Sequence, residues 1–284
     1  MRGSVLVAMQ IRALSEAEVG SIAVEWARRE GWNPGIHDGA IFARTDPGAF
    51  LGTELDGRIV ATHASTCYGE RFAFMGFYIV TPEHRGQGLG LPIWSAGVQR
   101  CGDRNIGLDG VLERVEDYRR NGFEIDYRNR RYRGRGGGAR SGASVPIAPS
   151  DVDSIVAYDA RCFPAWRERF VRDWVAQDDS FARVVKAQDA IRGYAVMRKC
   201  FDGWKIGPLF ADEPGTARAL FDDLRAEVPG QTFYLDVPAI HDDAVAMATG
   251  AGMEVVFETA RMYTRGRPPF ALERCFGVTT FELG

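Results

Sequence analysis

Residues 85–90 read Arg-Gly-Gln-Gly-Leu-Gly, directly after the apolar run Phe72–Val80 and directly before the helical stretch Leu91–Gln99. A strand that ends in a Gly-rich turn and opens a helix presents several backbone N–H groups at one point. With the positive end of the helix dipole behind them, those groups suit phosphate oxygens. Glycine lets the backbone approach an anion closely and take positive φ without steric cost. Spacing then separates the known phosphate loops. No Lys-Ser or Lys-Thr follows, which excludes the P-loop, and Gly86-x-Gly88-x-Gly90 does not fit the Gly-x-Gly-x-x-Gly of dinucleotide folds. The bland alternative is a glycine turn that serves only to join strand and helix.

The chain has 284 residues, which favours two domains of about 140 residues each. Hydrophobic residues at 45% and charged residues at 26% are ordinary for a globular protein. A net charge of −3 gives no global pull toward nucleic acid or a membrane surface. No apolar run of about 18 residues exists to span a bilayer. The opening Met1-Arg-Gly-Ser-Val-Leu-Val-Ala-Met9 has too short an apolar part for a secretory leader, and Met1–Ser4 reads equally as a cloning remnant ahead of a natural start near Met9. Five cysteines (67, 101, 162, 200, 275) form no C-x-x-C pair, and the four histidines show no ligand spacing, so neither a disulfide framework nor a metal centre is expected. The simplest compartment is the reducing cytoplasm.

Patterning predicts an α/β chain made of two halves that repeat one plan. In the first half, a short strand Ile11–Leu14 precedes the capping box Ser15-x-x-Glu18, which opens a helix through Arg29. A Gly/Pro-rich loop from Gly31 runs to Asp46-Pro47. The Asp56-Gly57 turn joins a hairpin, and strands Arg71–Val80, Asn105–Val111 and Phe123–Arg133 follow, with a short helix Arg114–Asn121 between the last two. We divide the chain into residues 1–136, a flexible Gly/Arg/Ser linker 137–144, and residues 145–284. Landmarks recur across that division: Leu108-Asp109 against Leu235-Asp236, Gly122-Phe123-Glu124 against Gly252-Met253-Glu254, and Arg131-Tyr132 against Arg261-Met262-Tyr263. The arginines at 128, 130, 131, 133, 135 and 140 read as a solvated strand edge running into the basic linker, with a nucleic-acid patch or a CoA 3′-phosphate contact as alternatives. Where the second half should carry its own Gly-rich turn it has Asp212-Glu213-Pro214-Gly215, whose carboxylates would repel a pyrophosphate.

The stretch Tyr78-Ile-Val-Thr-Pro-Glu-His-Arg-Gly-Gln-Gly-Leu-Gly-Leu-Pro92 matches Arg/Gln-x-x-Gly-x-Gly/Ala and resembles the acyl-CoA loop of the GNAT N-acetyltransferase superfamily. Tyr118-Arg-Arg-Asn-Gly-Phe123 is similar to that superfamily's Tyr-x-x-x-Gly-Phe, in which the tyrosine protonates the departing thiolate. The resemblance implies a mixed-sheet fold, with two GNAT-type domains in tandem and the second degenerate. It implies acetyl-CoA as co-substrate and no metal. It also implies that Tyr78, Ile79 and Val80 contact the pantetheine, and that Arg85, Gly86, Gln87, Gly88, Leu89 and Gly90 form the pyrophosphate loop. Ala248 stands four residues before the second half's glycine, where a tyrosine would be needed. Arg161-Cys-Phe-Pro, Lys205-Ile-Gly-Pro-Leu and the terminal Phe276-Gly-Val-Thr-Thr-Phe-Glu-Leu-Gly284 resemble the second domain of a tandem subgroup.

Acyl transfer to an amine also needs a base. Asp109, at a strand's carboxyl end, is the first candidate, followed by His63 and by His37 or Asp38. Trp32, Asn33, His37 and Asp38 lie in the loop that should cover the acceptor. Gly76 would weaken its strand unless it marks a bulge or a close approach. The function expected is direct transfer of acetyl from acetyl-CoA to a small amine. An aminoacyl-tRNA-dependent transferase and a non-catalytic acyl-CoA sensor are the alternatives.

Overall fold

The structure is a computed structural model that describes residues 9–284; the reading of residues 1–8 as no secretory leader lies outside the described residues. The predicted strands all join one mixed sheet. The first half supplies β1 (Met9–Ala13), β2 (Phe50–Leu55), β3 (Arg58–Tyr68), β4 (Phe72–Val80), β5 (Asn105–Val111) and β6 (Glu124–Arg135). The second supplies β7 (Val145–Pro146), β8 (Ser180–Ala187), β9 (Ala190–Lys199), β10 (Trp204–Ala211), β11 (Thr232–Pro238), β12 (Glu254–Tyr263) and β13 (Cys275–Gly277). Among the described residues the order across the sheet is β1-β2-β3-β4-β5-β12-β6-β11-β10-β9-β8-β7, with β13 paired to β10.

That order shows how the halves are joined. β4 runs parallel to β5, and β10 parallel to β11, as a repeat requires. One strand of each half, however, enters the other half: β12 lies between β5 and β6, and β6 lies between β12 and β11. The recurring Leu-Asp and Arg landmarks are the contacts of this exchange. Arg261 on β12 stands opposite Asp109 on β5, and Arg131 on β6 stands opposite Asp236 on β11. Both pairs are bidentate, at 2.6 and 3.0 Å for Arg261–Asp109 and at 2.7 Å twice for Arg131–Asp236. Burial alone would raise the Asp236 carboxyl, but the Arg131 guanidinium outweighs it and the carboxyl is lowered.

The arginine-rich stretch is not an edge, as β6 is an interior strand, although Arg128, Arg133, Arg135 and Arg140 are solvent-exposed as expected. Arg131 is buried, Arg130 pairs with Glu258, Arg140 pairs with Glu227, and Arg135 donates to the Gly230 carbonyl. The linker is not a free tether either. Asp223 accepts hydrogen bonds from the N–H groups of Ser141, Gly142 and Ser144 and from the Ser144 hydroxyl, at 2.6–3.1 Å. The division at 137–144 follows the chain, while the sheet crosses it unbroken.

Helices pack on both faces. The capping box holds: Ser15 accepts from the Glu18 N–H and Glu18 from the Ser15 N–H. It opens helical residues 16–29, made of α1 (Glu16–Glu18), a π-wound turn Val19–Val24 and α2 (Glu25–Arg29). Where a loop was expected there is α3 (Asp38–Thr45), because the Gly/Pro signal upstream masks a short helix that buries Ile41 and Phe42. The chain then forms α4 (Gly90–Cys101) and α5 (Val115–Arg120), and in the second half α6 (Val152–Cys162), α7 (Glu168–Val175), α8 (Pro214–Arg225) and α9 (Asp242–Gly250). Phe42 on α3 stacks on Trp174 of α7, with centroids 5.9 Å apart, so one hydrophobic core spans both halves.

Burial pushes the Asp223 carboxyl up, yet the hydrogen bonds from Ser144, Gly142 and Ser141 outweigh it and bring it down to about 2. A depressed carboxyl stabilises the fold above its unfolded pKa and loses that contribution as pH falls through the folded value. Asp223→Ala is expected to cost about 2 kcal/mol at neutral pH and nearly nothing near pH 2. Urea unfolding of both proteins across that range measures it.

Candidate active site

β4 and β5 pair only from Phe72–Asn105 to Met75–Leu108 and then part. The parting opens a cleft of about 720 Å³, lined by Met75–Val80 on one side and by Leu108, Asp109 and Val111 on the other. A bulge helps to shape it. Phe77 takes φ of 50° and the pairing of β3 with β4 slips between Thr62 and Ala64, while the Thr62 hydroxyl holds the Phe77 carbonyl at 2.9 Å. Gly76, one residue earlier, is a close approach: a Cβ there would overlap the carbonyl oxygen of Glu282.

The Gly-rich turn stands at the end of this cleft. Gly86 and Gly88 have φ of +75° and +79°, and both open onto free space. No turn or loop hydrogen bond among the described residues takes the N–H groups of Gly86, Gln87, Gly88 or Leu89. They precede the twelve-residue helix α4, whose first N–H groups also lack intrahelical partners. This arrangement fits a pyrophosphate. The side chains of the loop are already engaged. Arg85 donates from Nε to the Val80 carbonyl at 2.9 Å and pairs with Glu30, and Gln87 donates to the Glu83 carbonyl at 2.8 Å. A Cβ at Gly90 would press on the Tyr78 hydroxyl, so a larger residue there would have to displace that ring.

Tyr118 reaches the same cleft from α5. Its ring lies over Gly110 and packs on Trp94, with centroids 5.6 Å apart. Burial, with Tyr78 adding to it, pushes its phenol up to about 12, so it carries its proton at neutral pH. His63 lies beneath Tyr78 and Trp94, with ring centroids 5.7 and 5.5 Å away. It is fully buried with no partner on either nitrogen, and burial lowers it to about 3. An imidazole held so far below neutrality is a poor proton acceptor.

Asp109 borders the cleft, but its carboxylate is not free to act as a base. Besides Arg261 it accepts from Asn129 Nδ2 at 2.8 Å, and the side chain is fully buried. The acceptor-loop expectation also divides. Trp32 lines the cleft, whereas Asn33, His37 and Asp38 turn toward the second half. Asn33 exchanges hydrogen bonds with the backbone of Asp202, His37 meets Asp179 at 2.9 Å, and Asp38 is buried against Arg198 at 2.8 and 3.0 Å. A loop read in isolation gives no sign that its polar residues are claimed by a partner distant in sequence.

In their place stand residues that sequence reasoning missed. Phe257 and Thr259 on β12, together with Phe281 and Glu282 of the C-terminal tail, complete the cleft beside Trp32. Arg131 organises this wall. It donates to the Trp32 carbonyl at 2.6 Å, and its guanidinium lies 4.9 Å from the Phe281 ring centroid and 5.8 Å from that of Phe257. The second half's corresponding cleft is filled. β10 and β11 part after Ile206–Leu235, and β13 enters there, pairing Gly277 with Leu209 and Cys275 with Phe210. A Cβ on Gly207 would overlap the Thr279 carbonyl, so the tail lies directly on β10.

Comparison with known proteins agrees with this geometry. A model described as "Acetyltransferase (GNAT) family" matches residues 11–123, and one described as "Acetyltransferase (GNAT) domain" matches residues 155–277. The chain is 28% identical to a holothin acyltransferase of Pseudoalteromonas sp. (strain SANK 73390), over 94% of this chain and 92% of that protein. Its fold is similar to that of a putative acetyltransferase from Pyrococcus horikoshii, with a TM-score of 0.82 at 18% identity, covering 100% of this chain and 99% of the other. A tandem GNAT protein from the clavulanic acid biosynthesis pathway shares it at a TM-score of 0.62 and 14% identity, over 90% of this chain and 98% of that one.

Asp109→Asn leaves Arg261 buried beside a neutral amide, and it is expected to cost about 3–5 kcal/mol in stability. A thermal melt decides the role of Asp109: an unchanged Tm with lost activity would return it to the chemistry.

Proposed function

The chain belongs to the GNAT acetyltransferase family and is an acyltransferase with two such domains in tandem; from that premise we propose that it transfers acetyl from acetyl-CoA to a small amine, by direct attack within one ternary complex. The observation that carries the reading is the asymmetry of the two clefts. One is open, ends on free backbone N–H groups at a helix start and is reached by a protonated Tyr118; the other is filled by the chain's own tail. The relative named for holothin supports an acceptor that is a discrete compound.

In this reading Tyr78, Ile79 and Val80 hold the pantetheine along the unpaired end of β4, and the turn from Arg85 to Gly90 holds the pyrophosphate. Much of the rate comes from fixing thioester and amine side by side. The neutral amine nitrogen forms a bond to the thioester carbonyl carbon, the carbon–sulfur bond breaks, the departing thiolate takes the Tyr118 phenolic proton, and the proton then shed by the nitrogen restores the phenol through solvent. Trp32 borders the acceptor. The partnered arginines of β6 lend no support to a tRNA groove. Among the described residues no helix is long and apolar enough to cross a membrane, and five free cysteines suit a reducing cytoplasm.

Acetyl-CoA at about 100 times its Kd is expected to stabilise the protein by about 2.7 kcal/mol, read as a rise in Tm. Gly88→Glu puts a carboxylate into the cradle at a positive φ and is expected to abolish the rise. A wild-type protein that shows no rise would overturn the proposal. Tyr118→Phe should lower kcat by about 10²-fold while keeping the acetyl-CoA shift; loss of the shift instead would make Tyr118 structural.

A further inference from the structure

The amine must lose a proton before it can attack, and the groups considered above do not supply the acceptor for it: Asp109 is locked to Arg261, His63 is held far below neutrality, and His37 and Asp38 face the second half. Among the described residues, two further acidic residues without a side-chain partner line the cleft, Glu113, which is exposed to solvent, and Glu282, which is buried. Glu282 is 3% exposed, and neither Oε1 nor Oε2 has a hydrogen-bond partner. A carboxylate held away from water with nothing donating to it is costly to keep, and such groups recur where a ligand or a proton completes them.

Its position is fixed from several sides. Gly76 lacks the side chain that would keep the Glu282 backbone off β4. The Tyr68 hydroxyl donates to the Leu283 carbonyl at 3.0 Å, and the Leu283 N–H donates to the Thr280 hydroxyl at 2.9 Å. The charges that face Glu282 come from four elements: Lys205 on β10, Arg131 on β6, Asp38 on α3 and Arg198 on β9. Each cation is already engaged. Lys205 donates to the Asn33 carbonyl at 2.8 Å, Arg131 is paired with Asp236, and Arg198 is paired with Asp38, with one Nη1 left over. Burial outweighs them and raises the Glu282 carboxyl above its ordinary value, toward the range where a base works at neutral pH.

We propose that Glu282, carried by the C-terminal tail of the second half, takes the proton of the acceptor amine, and that the subsite walled by Trp32, Phe257 and Phe281 selects an amine on a flat apolar body. This rests on the acetyl-transfer reading above. The ammonium proton passes to the Glu282 carboxylate, and the freed lone pair makes the carbon–nitrogen bond. The carbon–sulfur pair leaves on sulfur and takes the Tyr118 proton, the adduct nitrogen sheds its second proton, which restores the phenol through solvent, and the proton on Glu282 is released to solvent. Two of the three walls, the base and the strand that carries Phe257 come from the half whose own cleft is filled.

The test measures thiol release from acetyl-CoA, from about pH 5.5 to about pH 9, with phenethylamine and butylamine as acceptors. Wild type should favour phenethylamine and show an acid limb in kcat. Glu282→Gln should lose that limb and about 10²-fold in kcat, with the acetyl-CoA-induced rise in Tm unchanged. Glu282→Asp, which keeps the charge and withdraws it by one methylene, should keep the limb at a reduced kcat, and it serves if the Gln variant does not fold. Wild-type kcat with an intact acid limb in Glu282→Gln, or unreduced kcat in Glu282→Asp, overturns the assignment and leaves the acetyl-transfer reading standing. Equal use of butylamine overturns the flat-body selectivity. If wild type binds acetyl-CoA but releases no thiol with either amine, the acetyl-transfer reading and this inference fall together.

Discussion

The two crossed ion pairs, Asp109–Arg261 and Asp236–Arg131, are the constraint on which the remaining structure depends. Each joins the Leu-Asp strand of one half to the exchanged strand of the other, β12 or β6, and all four side chains are buried. A buried ion pair adds little net stability over an apolar substitute, but losing one partner strands a charge in the interior, so only one pairing of the four central strands is tolerable. A one-residue slip of β6 or of β12 would turn its side chains to the opposite face and break the bidentate contact that strand makes. Exchange of strands follows from this, and with it a sheet in which neither half is complete alone.

Exchange also explains how a duplicated chain comes to have one open cleft and one filled cleft. Both halves splay their central parallel strands, a geometry that leaves backbone groups of β4 and β10 unpaired. Such groups need partners if they are not to face solvent. In the second half β13 supplies them, pairing with Leu209 and Phe210 on β10. The same tail then runs on to the first half, where Glu282 rests on Gly76 and Phe281 stacks beneath the Arg131 guanidinium. Filling one cleft thus furnishes a wall of the other.

Legibility in the sequence followed the range of the interactions involved. The cradle was readable because glycine spacing, strand end and helix start are adjacent in the chain, and Tyr118 because its motif spans six residues. The capping box at Ser15 was readable for the same reason. Asp109 was misread as a base because the sequence shows a carboxylate at a strand end and cannot show that Arg261, 152 positions away, holds it. Asn33, His37 and Asp38 were misread likewise, each claimed by the second half. Glu282 lies in a terminal stretch that resembles the tandem subgroup, but nothing local shows that it or Phe257 reaches the cleft, to which only the fold brings them.

What the sequence by itself determined is the family, the two-half α/β plan and the place of the Gly-rich turn between β4 and α4, because periodicity and turn chemistry act over a few residues. It also determined that the second half lacks a matching cradle. Only the tertiary structure decided which residues wall the cleft beside Trp32. Those side chains come from strands exchanged between the halves and from a tail that crosses both, and their proximity is set by long-range burial and charge pairing.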